Sequence, residues 1–303
     1  MSALTIGLPV YNGARSLAGS LDRLLGQSFG EFDLTICDNA SSDATADICA
    51  EYLRRDSRVS YYRQPETVIW SENFRFLLER AQTPFFMWAT HDDLWEPEFA
   101  AANLAALNAW PGAVCSVSRI AYFQGDGSEE IAPDTLPLTG TPAERMRKFF
   151  ATLDSCGRLY GVYRTEKLQK SFSEAIHIYG ADWLIVALTL LEGDHLEVER
   201  VLLRRAAAKP GHYYQRLGKT DGFAPDRLDR LWPLNKLQRE LKRRLPSEVW
   251  HAVKWPLRYV ALRQEVQVLQ AVSPQLSPAL SPLRTLAASA LHRRWREKIQ
   301  HRS

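Results

Sequence analysis

Asp92 and Asp93 stand side by side at the end of an apolar run, Phe85-Phe86-Met87-Trp88-Ala89, and just before Leu94-Trp95-Glu96-Pro97. Adjacent carboxylates in an open cleft suit Mg²⁺ or Mn²⁺, which keep several water positions and fill them with phosphate oxygens. The same pair also suits a simpler task, capping the helix expected over Glu98 to Leu107. Asp38 closes a second apolar run, Phe32-Asp33-Leu34-Thr35-Ile36-Cys37. There a carboxylate accepts hydrogen bonds from a nucleotide's base or ribose, or from its own backbone in an Asx turn. A dehydrogenase also places an acidic residue at such a strand end, but it needs a G-x-G-x-x-G turn after the first strand. This chain has Pro9-Val10-Tyr11-Asn12-Gly13-Ala14 instead, and no G-x-x-x-x-G-K-[ST] loop for a P-loop enzyme. The four cysteines, Cys37, Cys49, Cys115 and Cys156, form no CxxC pair and have no metal-ligand spacing with a histidine, so they read as free buried thiols.

These residues need a scaffold, and the chain has the composition to build one. It has 303 residues, 46% of them apolar and 24% charged, which excludes a disordered or fibrous protein. The N-terminal Met1-Ser2-Ala3-Leu4-Thr5 lacks a basic segment leading into an apolar one, so no secretory signal is expected and a cytoplasmic location is. The longest apolar stretch, Trp183 to Leu191, is about half the length a membrane-spanning helix needs and reads as a buried helix. Strands are expected at 4–10, 32–37, 59–62 and 84–89, alternating with helices at 16–25, 41–55 and 72–81. That alternation predicts an α/β fold, with βαβ units, a largely parallel sheet and helices on both faces. Ligands bind beyond the carboxyl ends of such strands, where the clusters Pro9 to Gly13, Asp38-Asn39 and His91-Asp92-Asp93 converge. A mixed α+β pattern follows, with strands at 113–123, 159–164 and 196–205 and helices after Pro142 and over Asp182 to Glu192.

Taken together, Leu8-Pro9-Val10-Tyr11-Asn12, Asp38-Asn39-Ala40-Ser41-Ser42-Asp43, Asn73 and His91-Asp92-Asp93 resemble, in order and spacing, the nucleotide-binding half of a family 2 glycosyltransferase with the GT-A fold. The resemblance covers residues 4–123 and extends to about 220. It implies a Rossmann-like, mixed but mostly parallel sheet in a domain over 1–225, divided into a nucleotide-binding half (1–123) and an acceptor-side half (124–225). It also implies an inverting transferase that uses a nucleotide-sugar donor, UDP-linked, and a hydroxyl acceptor. By the same likeness Pro9 and Tyr11 line the base pocket, Asp38 binds the base, Asn73 lies near it, and Asp92 faces the ribose and diphosphate. Asp93 would hold a divalent metal, Mn²⁺ or Mg²⁺, that neutralises charge on the departing nucleoside diphosphate. Where the family often has another Asp, two positions before Asp92, this chain has Thr90.

The resemblance reaches further on. Gly180-Ala181-Asp182-Trp183 resembles the family's Glu-Asp motif, with Ala181 in place of the Glu, and makes Asp182 the base that takes the acceptor's proton. Asp182 also fits a plain acidic residue in the first turn of a helix, favoured by the dipole. Tyr160-Gly161-Val162-Tyr163-Arg164 is similar to the family's acceptor-side strand, where Gly161 lets the backbone approach the sugar. His212 falls where many relatives carry a His or Arg over the diphosphate, as a metal ligand, and Arg216 would meet phosphate. His177 and His195 have no such context and read as structural. The acceptor implied is a surface glycan or lipid-linked glycan, handled at the inner face of the cytoplasmic membrane.

Charge divides the chain. Residues 1–225 hold 22 Lys and Arg against 29 Asp and Glu, a net of −7, whereas 226–303 hold 16 against 6, a net of +10. The second region is expected to be helical and basic, with Trp250, Val253, Trp255, Leu257, Val260 and Leu262 among Lys254, Arg258 and Arg263. Such helices suit an anionic membrane surface. They equally suit an apolar face packed on the catalytic domain, or on a second subunit of a homo-oligomer, with the basic face in water. Nucleic acid is not an expected partner, because no recognised binding motif accompanies the charge. Two other classes stay open: a nucleotidyltransferase, for which Arg15 is a poor substitute for a basic Gly-rich loop, and a non-catalytic glycan-binding or scaffold protein.

Overall fold

A computed structural model describes residues 2–123, 127–153, 156–174, 176–206 and 234–272, with Pro282. Four strands open the chain: β1 (Leu4–Val10), β2 (Phe32–Asp38), β3 (Val59–Arg63) and β4 (Phe85–Trp88). They alternate with α1 (Leu17–Leu25), α2 (Thr45–Arg55) and α3 (Trp70–Arg80). All seven residues of β1 are buried, as a strand covered on both faces requires, and so it reads as an unbroken apolar run. Then come β5 (Leu94–Trp95), α4 (Phe99–Ala109), β6 (Ala113–Phe123), β7 (Glu129–Ile131), α5 (Pro142–Thr152), β8 (Val162–Arg164), α6 (Thr165–Ser171), α7 (Ala181–Glu192) and β9 (Asp194–Ala206). Two helices, α8 (Asn235–Arg244) and α9 (Ser247–Val272), complete the described chain.

The strands form one sheet in the order β3-β2-β1-β4-β8-β6-β9-β5, with β7 beside β6. The long ladders β1/β2, β2/β3, β1/β4 and β6/β9 are parallel. The antiparallel contacts β4/β8, β6/β8, β5/β9 and β6/β7 are only two or three residue pairs long. The expected mixed, mostly parallel sheet with flanking helices is therefore the fold. β8 runs against both β4 and β6, so β6 and its parallel neighbour β9 point the same way as β1, β2 and β4. All of these strands thus deliver their carboxyl ends to one edge.

Alternation along the strands splits the core between the two faces. Leu4, Ile6, Leu8, Phe85 and Met87 join α1, α2 and α4 on one side. Phe86 and Trp88 join α3, α5 and α7 on the other. Helix α5 starts with a capping box in which Thr141 and Glu144 bond each other's backbone N–H. Leu237 and Leu241 of α8, Leu245 after it, and Val249, Val253, Leu257 and Val260 of α9 are buried in that same second core with Met146, Phe149 and Phe150 of α5. Over these residues the apolar stripe of the basic region is spent on the domain itself, leaving Trp255 exposed. α9 continues through Pro256. Among the described residues no helix is long and apolar enough to cross a membrane.

The strand expected at 159–164 is shorter than its sequence suggests. Residues Gly157–Tyr160 form a 3-10 turn, held by the fully buried Arg158, whose guanidinium donates to the carbonyl of Asp134 at 3.0 Å. Cys37, Cys49, Cys115 and Cys156 are free and buried, as expected.

Candidate active site

The parallel strands place their chemistry at one edge, beginning with the turn after β1. Asn12 adopts a left-handed conformation (φ 49). Its N–H donates to Ser41 Oγ at 2.8 Å, that of Gly13 to Thr45 Oγ1 at 2.9 Å, and that of Ala14 to Asp43 Oδ2 at 3.1 Å. In a dinucleotide-binding sheet such N–H groups face phosphates; here side-chain oxygens of residues 41–45 take them. Pro9 lies inside β1 opposite Cys37, and Tyr11 stands at the rim, 41% exposed.

Asp38 is fully buried at the end of β2. Its Oδ1 accepts the N–H of Ser41 at 2.8 Å, and its Oδ2 accepts from Tyr61 Oη at 3.0 Å and Arg63 Nη1 at 2.8 Å. The carboxylate does bond its own turn, as weighed for this residue, but three residues on rather than the two of an Asx turn, next to Ala40, which is also left-handed (φ 58). Asn73 reaches from α3 and donates to the carbonyl of Cys37 at 3.0 Å, tying the helix to the end of β2.

After β4 the two adjacent aspartates diverge. Asp92 is exposed and makes no hydrogen bond or ion pair among the described residues, whereas Asp93 is 4% exposed. Arg205 Nε lies 3.0 Å from Asp93 Oδ1 and 2.9 Å from Oδ2, and the Thr90 hydroxyl donates to Oδ2. The β5/β9 register explains the pair: Leu94 lies opposite Arg204 in an antiparallel ladder, so the next position sets Asp93 against Arg205. The Arg205 guanidinium also stacks 4.0 Å from the centre of the Tyr160 ring. Neither aspartate caps α4, whose N-cap is Glu98.

Asp182 sits in the first turn of α7 behind Gly180, which takes a left-handed φ of 73. A side chain at Gly180 would crowd Leu237 and Leu234 of the basic region, so α8 packs directly on the start of this helix. Burial pushes the Asp182 carboxyl up to about 6, against the pull of the N–H groups of Trp183 and Asp182 and of Arg205. The same electrostatic neighbourhood links Tyr160 to Arg205, Asp93 and Asp182. The edge therefore holds an exposed carboxylate, a buried Asp–Arg pair stacked on a phenol, and a carboxyl poised near neutrality. That set can take a proton from a hydroxyl and, through a divalent cation held on the open carboxylate, meet an anionic group.

Gly161 and the two remaining described histidines of the first region have their own surroundings. A Cβ on Gly161 would stand 2.8 Å from both Cys115 Sγ and the carbonyl of Ser116, so the close approach made there is by β6. His195 is fully buried with Nε2 3.1 Å from Thr189 Oγ1, and burial holds its imidazole well below the usual range. His177 lies 3.3 Å from Glu72 at the surface. His212 and Arg216 lie outside the described residues. Among the described residues no group of three or more His, Cys, Asp or Glu could hold a metal ion by itself. The donor set does fit Mg²⁺ or Mn²⁺ of the kind that takes one or two carboxylates and completes its shell with substrate phosphate and water: Asp92 is open, and Asp93 beside it is paired with Arg205. Arg205 and Arg63 were not anticipated from the sequence. The one available signal is an arginine at the carboxyl end of a strand, Arg63 closing β3 and Arg205 following Val201-Leu202-Leu203-Arg204 in β9.

Comparison with known proteins bears on the family and the fold. The family model described as glycosyl transferase family 2 matches residues 5–172. The chain is 25% identical over 105 residues to an uncharacterized glycosyltransferase of Rickettsia typhi, covering 35% of this chain and 32% of that protein. It is 31% identical over 61 residues to the glycosyltransferase GlyA of Streptococcus pneumoniae, covering 20% and 9%. The match thus spans about a third of one curated relative's length and about a tenth of the other's. By fold the chain is similar to S. aureus TarS 1–349 in complex with UDP-GlcNAc, with a TM-score of 0.55, 14% identity and coverage of 98% of this chain and 92% of that one. It is likewise similar to the mannosyltransferase PcManGT from Pyrobaculum calidifontis in complex with GDP-Man and Mn²⁺, with a TM-score of 0.57, 15% identity and coverage of 97% and 82%. At these identities the likeness is one of fold.

Proposed function

The chain belongs to glycosyl transferase family 2, and from that premise we propose that it moves a sugar, with inversion, from a nucleoside diphosphate donor to a hydroxyl acceptor. The observation that carries this reading is the position of Asp182, a carboxyl held at about 6 beside the Arg205, Asp93 and Tyr160 cluster. A base with that affinity is largely ionised at neutral pH and still accepts a proton as a hydroxyl attacks. The acceptor oxygen bonds to the anomeric carbon as its proton passes to Asp182. The bond from that carbon to the diphosphate oxygen breaks with its electron pair on the leaving nucleoside diphosphate, and attack from the face opposite gives inversion.

Tyr11, at the rim, is placed to stack on the base, with Pro9 behind it. Asp38 is read as the residue that binds the base, with Asn73 near it; both hold the end of β2. Asp92 and Asp93 are the residues that would hold Mn²⁺ or Mg²⁺, and that cation neutralises charge on the departing diphosphate when bound. The donor is read as UDP-linked. The acceptor is read as a surface glycan or lipid-linked glycan; exposed Trp255 and Arg258 of α9 suit a peripheral position on an anionic membrane.

A ligand that binds only the folded chain raises its melting temperature. A panel of nucleoside diphosphates and nucleotide sugars, with and without Mn²⁺, should give a metal-dependent rise with UDP or a UDP-sugar. Asp182→Asn should keep that rise and lose transfer of labelled sugar. Folded protein that responds to no nucleotide would overturn the reading.

A further inference from the structure

Asp93 carries a feature that its neighbour Asp92 lacks: it is already neutralised from within the chain. Its buried carboxylate faces a guanidinium nitrogen about equally distant from both oxygens, 3.0 and 2.9 Å. The other group bonded to it is the neutral hydroxyl of Thr90. Arg205 is itself enclosed, its side chain 17% exposed, and is supported from beneath by the Tyr160 ring at 4.0 Å. It comes from the carboxyl end of β9, the same sheet edge at which β1, β2 and β4 end. A guanidinium pairs with phosphate as readily as with carboxylate. A divalent cation approaching Asp93 would meet a like charge within a few ångströms, in a site with little water to screen it.

Building on the donor-site reading above, we propose that Arg205 is the resident counter-cation of Asp93, that a divalent cation competes with it for this carboxylate, and that Arg205 exchanges onto the diphosphate oxygens when nucleotide and metal enter together. Two consequences follow from the charges. Without nucleotide, the divalent cation binds weakly, because it must displace a buried ion pair. With nucleotide, the displaced guanidinium finds phosphate oxygens in place of the carboxylate it leaves, so metal and nucleotide strengthen each other's binding.

The test counts Mn²⁺ left free in solution by its electron paramagnetic resonance signal, using the full chain and no acceptor. Arg205→Gln should bind Mn²⁺ at least about tenfold tighter than wild type in the absence of nucleotide, since one charge-assisted hydrogen bond no longer opposes it. Asp93→Asn should bind more weakly than either. Saturating UDP should strengthen Mn²⁺ binding to wild type far more than to Arg205→Gln, closing the gap between them. Should Arg205→Gln fail to fold around the unpaired Asp93, Arg205→Lys keeps the charge but pairs less well, and Tyr160→Leu removes the platform under the guanidinium. Both should shift Mn²⁺ affinity in the same direction by a smaller factor. Mn²⁺ affinity unchanged in all of these variants overturns the competition. An unchanged gap in the presence of bound UDP overturns the exchange onto diphosphate. Absence of UDP binding alongside the expected Mn²⁺ shifts would count against the donor reading and leave the competition standing.

Discussion

Asp38 and Arg63 face each other across the last rung of the β2/β3 ladder and join in an ion pair of 2.8 Å. The carboxylate is fully enclosed while the arginine is 44% exposed, so the pair holds a buried charge in place from the solvent side. With the Ser41 N–H and the Tyr61 hydroxyl also donating, Asp38 is the post around which the turn after β2 is built.

Asp38→Ala leaves a buried N–H and a phenol without their acceptor. The loss should be about 2 to 4 kcal/mol, read as a lower urea midpoint with an unchanged slope. A variant within about 0.5 kcal/mol of wild type would mean that these bonds contribute little.

Transfer should depend on pH through Asp182. A base must be ionised to act, so kcat/KM should fall about tenfold per unit as pH drops below about 6 and level off above it. Arg205 pulls this carboxyl down, so Arg205→Gln should move the limb to higher pH. A rate profile flat between pH 5 and 7 would remove Asp182 from the role of base.

The same residue should cost the fold stability. Its carboxyl titrates at about 6 in the native chain against about 3.9 when unfolded. Between those values the native state binds more protons, so stability falls as pH rises through that window, and the penalty is complete above about pH 6. Asp182→Asn should therefore melt higher than wild type at pH 7, by about 1 to 3 kcal/mol, and should show no advantage at pH 4. Equal melting at both values would show that the carboxylate is not strained.

Two residues of α9 should behave oppositely. Leu257 is fully buried, and Leu257→Ala should lower stability by about 2 to 4 kcal/mol. Trp255 is 43% exposed, and Trp255→Ala should stay within about 0.5 kcal/mol of wild type while weakening association with anionic vesicles. Co-sedimentation with phosphatidylglycerol vesicles decides the second point.

The first half of the sheet is legible because its strands are covered on both faces and read as continuous apolar runs, β1 above all. β5 is only Leu94 and Trp95, and it exists because the long β9 lies beside it, so nothing local announces it. Tertiary contacts bury Arg158 and turn the start of an expected strand into a 3-10 turn. Asp92 and Asp93 are conspicuous as a pair. They lie in the turn between β4 and β5, where no strand periodicity assigns a side, and which of them turns inward depends on Arg205, 112 positions away. Asp182 draws notice through its motif, but its affinity for a proton comes from burial, which no spacing encodes.

The packing of α8 and α9 on α5 and α7 also bears on how the protein is made. Phe149, Phe150, Leu184 and Leu188 belong to one core with Leu237, Val253 and Leu257, which leave the ribosome well after them. Until those later residues arrive, the nascent chain displays a broad oily surface of the kind that chaperones recognise and that drives aggregation. The region matched by the family ends at residue 172. A fragment trimmed to that boundary would lose both Asp182 and the helices that cover α5, and would be expected to precipitate when synthesised alone.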